Sequence, residues 1–181
     1  MNIIARFVIL ALMLLSQPSV ASISPAVIDA ARVGNLEVVR QSISSGANVN
    51  DTDSNGYSLL ILAIYHGQYT VARYLLAQGA DPALLDNHGR SALMGAAFKN
   101  DIGAARILLG NPRTDVNQQN PVGQTAAMYA ALFGHKDFLT FLLSHGADLA
   151  LNDKKGNTAA SLAAAQGNQS LADWISTRSV R

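Results

Sequence analysis

Asp53-Ser54-Asn55-Gly56-Tyr57-Ser58, Asp86-Asn87-His88-Gly89-Arg90-Ser91, Asn120-Pro121-Val122-Gly123-Gln124-Thr125 and Asp153-Lys154-Lys155-Gly156-Asn157-Thr158 are four versions of one turn. Their glycines, at 56, 89, 123 and 156, are separated by steps of 33, 34 and 33 residues. A fixed period of that length marks stacked units, each covering the apolar face of its neighbour. Such a stack builds a long continuous core and extended outer surfaces. It offers no single central pocket, and so favours binding over catalysis.

Working outward from a turn, each unit reads as turn, short helix, glycine, longer helix, glycine. In the second unit the Ser58 hydroxyl is placed to cap the first helix. Leu60, Ile61, Ala63 and Ile64 supply that helix's apolar side. Gly67 ends it, since glycine takes the left-handed conformation of a helix cap. Val71, Ala72, Leu75 and Leu76 then recur at helical spacing, which predicts a second helix. Gly79-Ala80-Asp81 closes the unit. Asp53, Asp86 and Asp153 open their turns and are expected to accept hydrogen bonds from turn amides.

These residues make the chain similar to the ankyrin-repeat proteins. The family pattern runs D-x-x-G-x-T-P-L-H-x-A-A, then G-H, then a V-V-x-x-L-L run, then G-A-D-V-N. The second unit matches at Gly56, Ser58, Leu60, Ala63, Gly67, Leu75-Leu76 and Gly79-Ala80-Asp81. The third matches at Gly89, Ser91, Leu93, Ala96-Ala97, Leu108-Leu109 and Asp115-Val116-Asn117. The fourth matches at Gly123, Thr125, Ala130-Ala131, Gly134-His135, Leu142-Leu143 and Gly146-Ala147-Asp148. A fifth matches at Gly156, Thr158, Ala163-Ala164 and Gly167, and a first half-matches from Ala30-Ala31 to Asn50.

The resemblance implies an all-α solenoid of about five helix-turn-helix repeats joined by turn or β-hairpin-like loops. The repeats fall near 22–52, 53–85, 86–119, 120–152 and 153–181. The family's Pro-Leu-His is replaced by Leu59-Leu60-Ile61, Ala92-Leu93-Met94 and Ala126-Ala127-Met128, so apolar packing is expected where a buried histidine usually sits. One extra residue within Gly110 to Thr114 accounts for the step of 34. The end repeats are expected to be polar caps. Trp174-Ile175 is read as the last repeat's leucine pair, with Trp174 in the core.

The N-terminus reads as a separate segment. Arg6 precedes an unbroken apolar run from Phe7 to Leu15, and Ser19-Val20-Ala21 is a small-x-small cleavage site. This is the order of a secretory signal peptide, and the run is shorter than the roughly 18–20 apolar residues of a membrane span. Residues 1–21 are therefore expected to be a signal peptide and 22–181 the repeat domain. The expected location is a bacterial periplasm, with an uncleaved membrane anchor or full secretion as alternatives. Beyond Arg6 the remaining basic residues equal the 12 acids. That near-neutral balance argues against nucleic acid or an anionic membrane surface as partner. There is no cysteine, which excludes disulfides, a thiol nucleophile and zinc–thiolate sites.

No catalytic or metal-binding constellation stands out. His66, His88, His135 and His145 fit no compact metal motif. Gly-x-Ser-x-Gly and phosphate-binding glycine loops are absent. The reading is a monomeric, non-catalytic protein-binding module without cofactor or metal. It would serve as an adaptor, inhibitor or protector of an envelope partner. A secreted effector acting on host proteins is the alternative, and an enzyme a remote third.

In the family, partners bind turn tips and the inner face of the first helices. The resemblance carries that role onto Asn55, Tyr57, Tyr65 and His66 in the second repeat. It points to His88, Arg90, Phe98 and Lys99 in the third, Val122, Gln124, Leu132 and Phe133 in the fourth, and Lys154 in the fifth. Large aromatic groups at positions expected to be exposed suggest an interface core.

Overall fold

The computed structural model describes residues 23–179. The predicted signal segment and the last two residues lie outside them. Ten helices are present among the described residues, in five antiparallel pairs: α1 (Pro25–Val33) with α2 (Leu36–Ser44), α3 (Leu59–Tyr65) with α4 (Tyr69–Ala77), α5 (Ala92–Lys99) with α6 (Ile102–Leu109), α7 (Ala126–Leu132) with α8 (Lys136–Leu143), and α9 (Ala159–Ala165) with α10 (Gln169–Ser179). The first helices pack on one another in chain order, and the second helices form an outer layer behind them. No strand forms among the described residues. A single antiparallel bridge, Thr52 to Ser58, marks the hairpin-like character of the loops.

The local signals decide where each helix starts. The hydroxyls of Ser58, Ser91, Thr125 and Thr158 each accept from the backbone N–H three residues on. Each thereby satisfies an amide that the helix itself leaves free. At the far end of four first helices a glycine takes the left-handed conformation, at Gly34, Gly67, Gly134 and Gly167. In the third repeat Asn100 does so instead, with φ of 56°. Asparagine is the non-glycine residue best suited to that conformation.

The core is a set of columns running through the stack. Leu75, Leu108, Leu142 and Ile175 occupy equivalent slots of the second helices and are fully buried. Ala63, Ala96, Ala130 and Ala163 form a column of small side chains in the first helices. Small groups there let successive helices approach closely. Ile61, Met94 and Met128 are buried where the family carries its histidine. In the last repeat Ser161 stands in that slot, exposed, and closes a capping box with Thr158.

The reading of Trp174 needs correction. Ile175 fills the buried leucine slot, and Trp174 falls one place earlier, in the column of Tyr74, Ile107 and Phe141. It is half-buried, with Lys136 Nζ 5.3 Å and the Arg178 guanidinium 4.4 Å from its ring centre. The misplacement is one residue of register, and an aromatic-aliphatic pair satisfies either assignment.

The extra residue of the third repeat is taken up between α6 and the next turn. Thr114 donates from its hydroxyl to the Leu108 carbonyl at 2.7 Å. Arg113 donates to the carbonyls of Gly79 and Ala80 at the end of the preceding repeat. The insertion therefore ties two repeats together.

Candidate protein-binding face

Each turn is organised from beneath by one side chain. Asp53 Oδ1 accepts from the backbone N–H of Asn55 and Tyr57, and Asp86 Oδ1 from His88 and Arg90. Asp153 Oδ1 accepts from Lys155 and Asn157, and Asn120 fills the role in the fourth repeat through Val122 and Gln124. The acids thus bond turn amides, as expected. They sit below the turns, with Asp86 only 5% exposed.

Adjacent turns are also joined to each other. Asn87 N–H donates to the Asn55 carbonyl at 3.0 Å, and Lys154 N–H to the Val122 carbonyl at 2.9 Å. The equivalent bond between the third and fourth turns cannot form, because Pro121 has no N–H. The turn tips thus fall into two bonded pairs.

The turns stand out from the first helices and leave a trough between the two. A cavity of about 440 Å³ lies in it between the second and third repeats. Tyr57, Asp86 and Arg90 close it from the turn side, and Ile61, Leu62, Tyr65, Gly95 and Phe98 from the helix side. Arg32 of α1 stands at one end. The lining is mainly apolar.

Along the trough the aromatic side chains form a continuous strip. Tyr65 and Phe98 are stacked with ring centres 6.4 Å apart, and Phe98 meets Phe133 edge-to-face at 4.8 Å. Phe133 continues onto His135 at 6.1 Å, and Tyr65 meets His66 at 5.7 Å. Tyr65, Phe98 and Phe133 are 37%, 37% and 45% exposed, values that leave each ring accessible to a partner. Strict register would align Tyr65 and Phe98 with Leu132, which is half-buried. Phe133, one residue later, reaches back to join the row.

The remaining expected positions divide in two. Asn55, His66, His88, Lys99, Val122 and Lys154 are exposed. Tyr57, Arg90 and Gln124 are half-buried and already engaged. Arg90 Nε donates to Asp86 Oδ2 at 2.9 Å, and its terminal nitrogen donates to the Tyr57 hydroxyl at 2.9 Å. Gln124 accepts from Asn120 Nδ2 at 3.4 Å. Tyr57 and Arg90 therefore shape the trough wall. That cross-repeat tie joins residues 33 apart and leaves no local sequence signal.

The histidines have structural neighbours. His135 precedes α8, and its Nε2 lies 3.3 Å from the Phe98 carbonyl. Gln68 makes the same reach two boundaries earlier, donating to the Arg32 carbonyl at 3.0 Å. His145 Nδ1 lies 2.9 Å from the Phe141 carbonyl at the end of α8. No group of three or more His, Asp or Glu side chains is placed to hold a metal among the described residues.

Two phenols titrate away from their ordinary range. The Tyr69 hydroxyl bonds Asp101 at 2.7 Å, and this bond, with burial and the charge of Asp101, raises its pKa. Burial raises that of Tyr129, opposed by Arg90 and reinforced by Asp86. Both stay protonated at neutral pH, so neither is an activated nucleophile.

Paired helices at a fixed period, with an exposed aromatic strip along one face, define a repeat-solenoid interaction protein. The family model for ankyrin repeats, three copies long, matches residues 27–120 and again residues 107–179. The chain belongs to the ankyrin-repeat family. No curated protein matches it.

Proposed function

We propose that this protein is a non-catalytic binding module whose trough holds a partner protein. The observation that carries the proposal is the strip Tyr65–Phe98–Phe133, three aromatic rings each meeting the next and open to solvent. Aromatic groups dominate binding energies because they bury large areas with few rotatable bonds. A soluble chain that keeps three together at its surface gains most when a partner covers them.

The place of action we propose is a bacterial periplasm, where the chain serves as an adaptor, inhibitor or protector of an envelope partner. The support is the n-, h- and c-region order of residues 1–21. No helix among the described residues is long and apolar enough to cross a membrane. Sequencing the N-terminus of protein recovered from cells tests the location. A mature chain beginning at Ser22 in the periplasmic fraction is expected, and a retained Met1 in membranes would favour an anchor.

The binding face is tested by two substitutions against a captured partner. Phe98→Ala is expected to weaken the complex by on the order of 2 kcal/mol or more. Arg73→Ala, on the exposed side of α4, is expected to change it little. The opposite ranking would move the binding face to the outer helices.

A further inference from the structure

The outer layer of helices carries a row of cations. Arg40, Arg73 and Arg106 stand in one equivalent slot of α2, α4 and α6, in steps of 33 residues. All three are exposed. Packed helices lie roughly 8–10 Å apart, so the guanidiniums follow one another at about that spacing. Thr140 and Asp173 take the slot in the last two repeats and end the row. None of the three arginines is neutralised by the fold. Among the described residues the ion pairs belong to Arg32 and Arg90 alone. The arginine side chains that donate hydrogen bonds there are Arg32, Arg90, Arg113 and Arg178. Arg40 lies 5.0 Å over the Tyr74 ring centre, and Arg106 lies 5.2 Å over that of Phe141. Such stacking holds a guanidinium in place without using its N–H groups.

Glu37 is the one acid on α2, α4 and α6. The other acids of these repeats mostly serve the loops. Asp53 and Asp86 hold the turns, Asp101 caps α6, and Asp81 and Asp115 accept from the amides of Ala83 and Asn117. The near-neutral total, which speaks against an anionic surface for the chain as a whole, thus conceals a division between loops and outer helices. Between the arginines the outer surface is amphipathic. Tyr69 is 38% exposed, and Tyr74 and Leu76 are half-buried. Arg73 and Arg106 line one open groove together with Leu76, Ala77 and Ile107. Tyrosine and arginine among aliphatic groups suit the boundary of water and lipid, where rings and alkyl stems enter and polar ends stay wet.

We propose that the outer helices of the first three repeats rest on a bilayer surface carrying anionic headgroups, with Arg40, Arg73 and Arg106 against lipid phosphates. This rests on the envelope location proposed above, which the N-terminal sequence tests separately. A headgroup layer supplies anions at any spacing, so it meets cations set on three separate helices without a matched sequence. Tyr69 and Tyr74 beside them favour lipid over an acidic protein. The trough lies on the other side of the first helices, so a docked chain keeps Tyr65, Phe98 and Phe133 clear of the bilayer and open to a partner.

Vesicle flotation tests the docking. The chain and its variants, all recovered from cells in the same form, are mixed at low salt with phosphatidylcholine vesicles made with or without phosphatidylglycerol. Binding is expected only with phosphatidylglycerol, and is expected to fade as added salt screens the charges. Each of Arg40→Gln, Arg73→Gln and Arg106→Gln is expected to lower partitioning about fivefold, and the triple variant roughly a hundredfold. The same three charges removed at Lys99, Lys154 and Lys155, on the trough and turn side, should lower it less than about twofold. Circular dichroism melts check that each variant is folded, and the single variants carry the test if the triple one is not. Equal binding to both kinds of vesicle, binding to neither, equal losses from the lysine variant, or full binding by the arginine variants would each overturn the proposal. Displacement from the vesicles by poly-glutamate at equal charge concentration would assign the row to an acidic protein and overturn it too.

Discussion

Asp153 illustrates how one side chain governs a turn. Its Oδ1 accepts two backbone amides and its Oδ2 accepts from Asn157 Nδ2 at 2.9 Å. The Asn157 side-chain bond, helped by the amides of Asn157 and Lys155 and opposed by burial, holds the carboxyl below its ordinary value of 3.8. A lowered pKa means that this stabilisation is complete above the ordinary value and is lost as pH falls through the lower folded value. Thermal melts of Asp153→Asn and the parent are therefore expected to converge as pH drops below about 3.8. A gap that stays constant with pH would show that the carboxylate charge is not involved. Asn120, which holds the fourth turn without titrating, shows that the geometry alone can be supplied by an amide. The turn role of these residues was legible from sequence because an acid opening a glycine turn bonds locally. The tie from Arg90 to Tyr57 was not, since it depends on two turns meeting in space. A spectrophotometric titration should find the Tyr69 phenol ionising above its ordinary range, and Asp101→Asn should bring it back down.

Helix ends and helix columns show a second level of the same logic. Asn100 holds a left-handed conformation that four other repeats give to glycine. Asn100→Ala is expected to cost roughly 1 kcal/mol, the usual penalty for a side chain without local hydrogen-bonding in that region, while Asn100→Gly should cost nothing. Leu108, fully buried in its column, should lose roughly 2–5 kcal/mol on truncation to Ala through the cavity left behind. Denaturant melts measure both, and a loss below about 1 kcal/mol for Leu108→Ala would mean that the column is misassigned. Periodicity made the helix pairs readable, because each apolar position recurs with the repeat. It was less able to place single residues at a helix end. Phe133 joins the aromatic row from one position out of register, and Trp174 sits one position before the buried slot that Ile175 takes.

At the scale of the described residues the stack is quasi-one-dimensional, each repeat packing mainly on its neighbours. The sole tryptophan, Trp174, belongs to the last repeat and reports that end alone. Ile175→Ala is therefore expected to move the fluorescence melt to lower temperature more than the far-ultraviolet circular dichroism melt. Coincident shifts would show one all-or-none unit. The same linear build gives the protein a long face, and the exposed aromatic strip lies along it. Photo-crosslinking in cells tests that face most directly. A benzophenone amino acid placed at Phe133 should capture a discrete protein partner, and the same group at Arg73 on the outer helices should capture none. Capture from Arg73 with none from Phe133 would contradict the account.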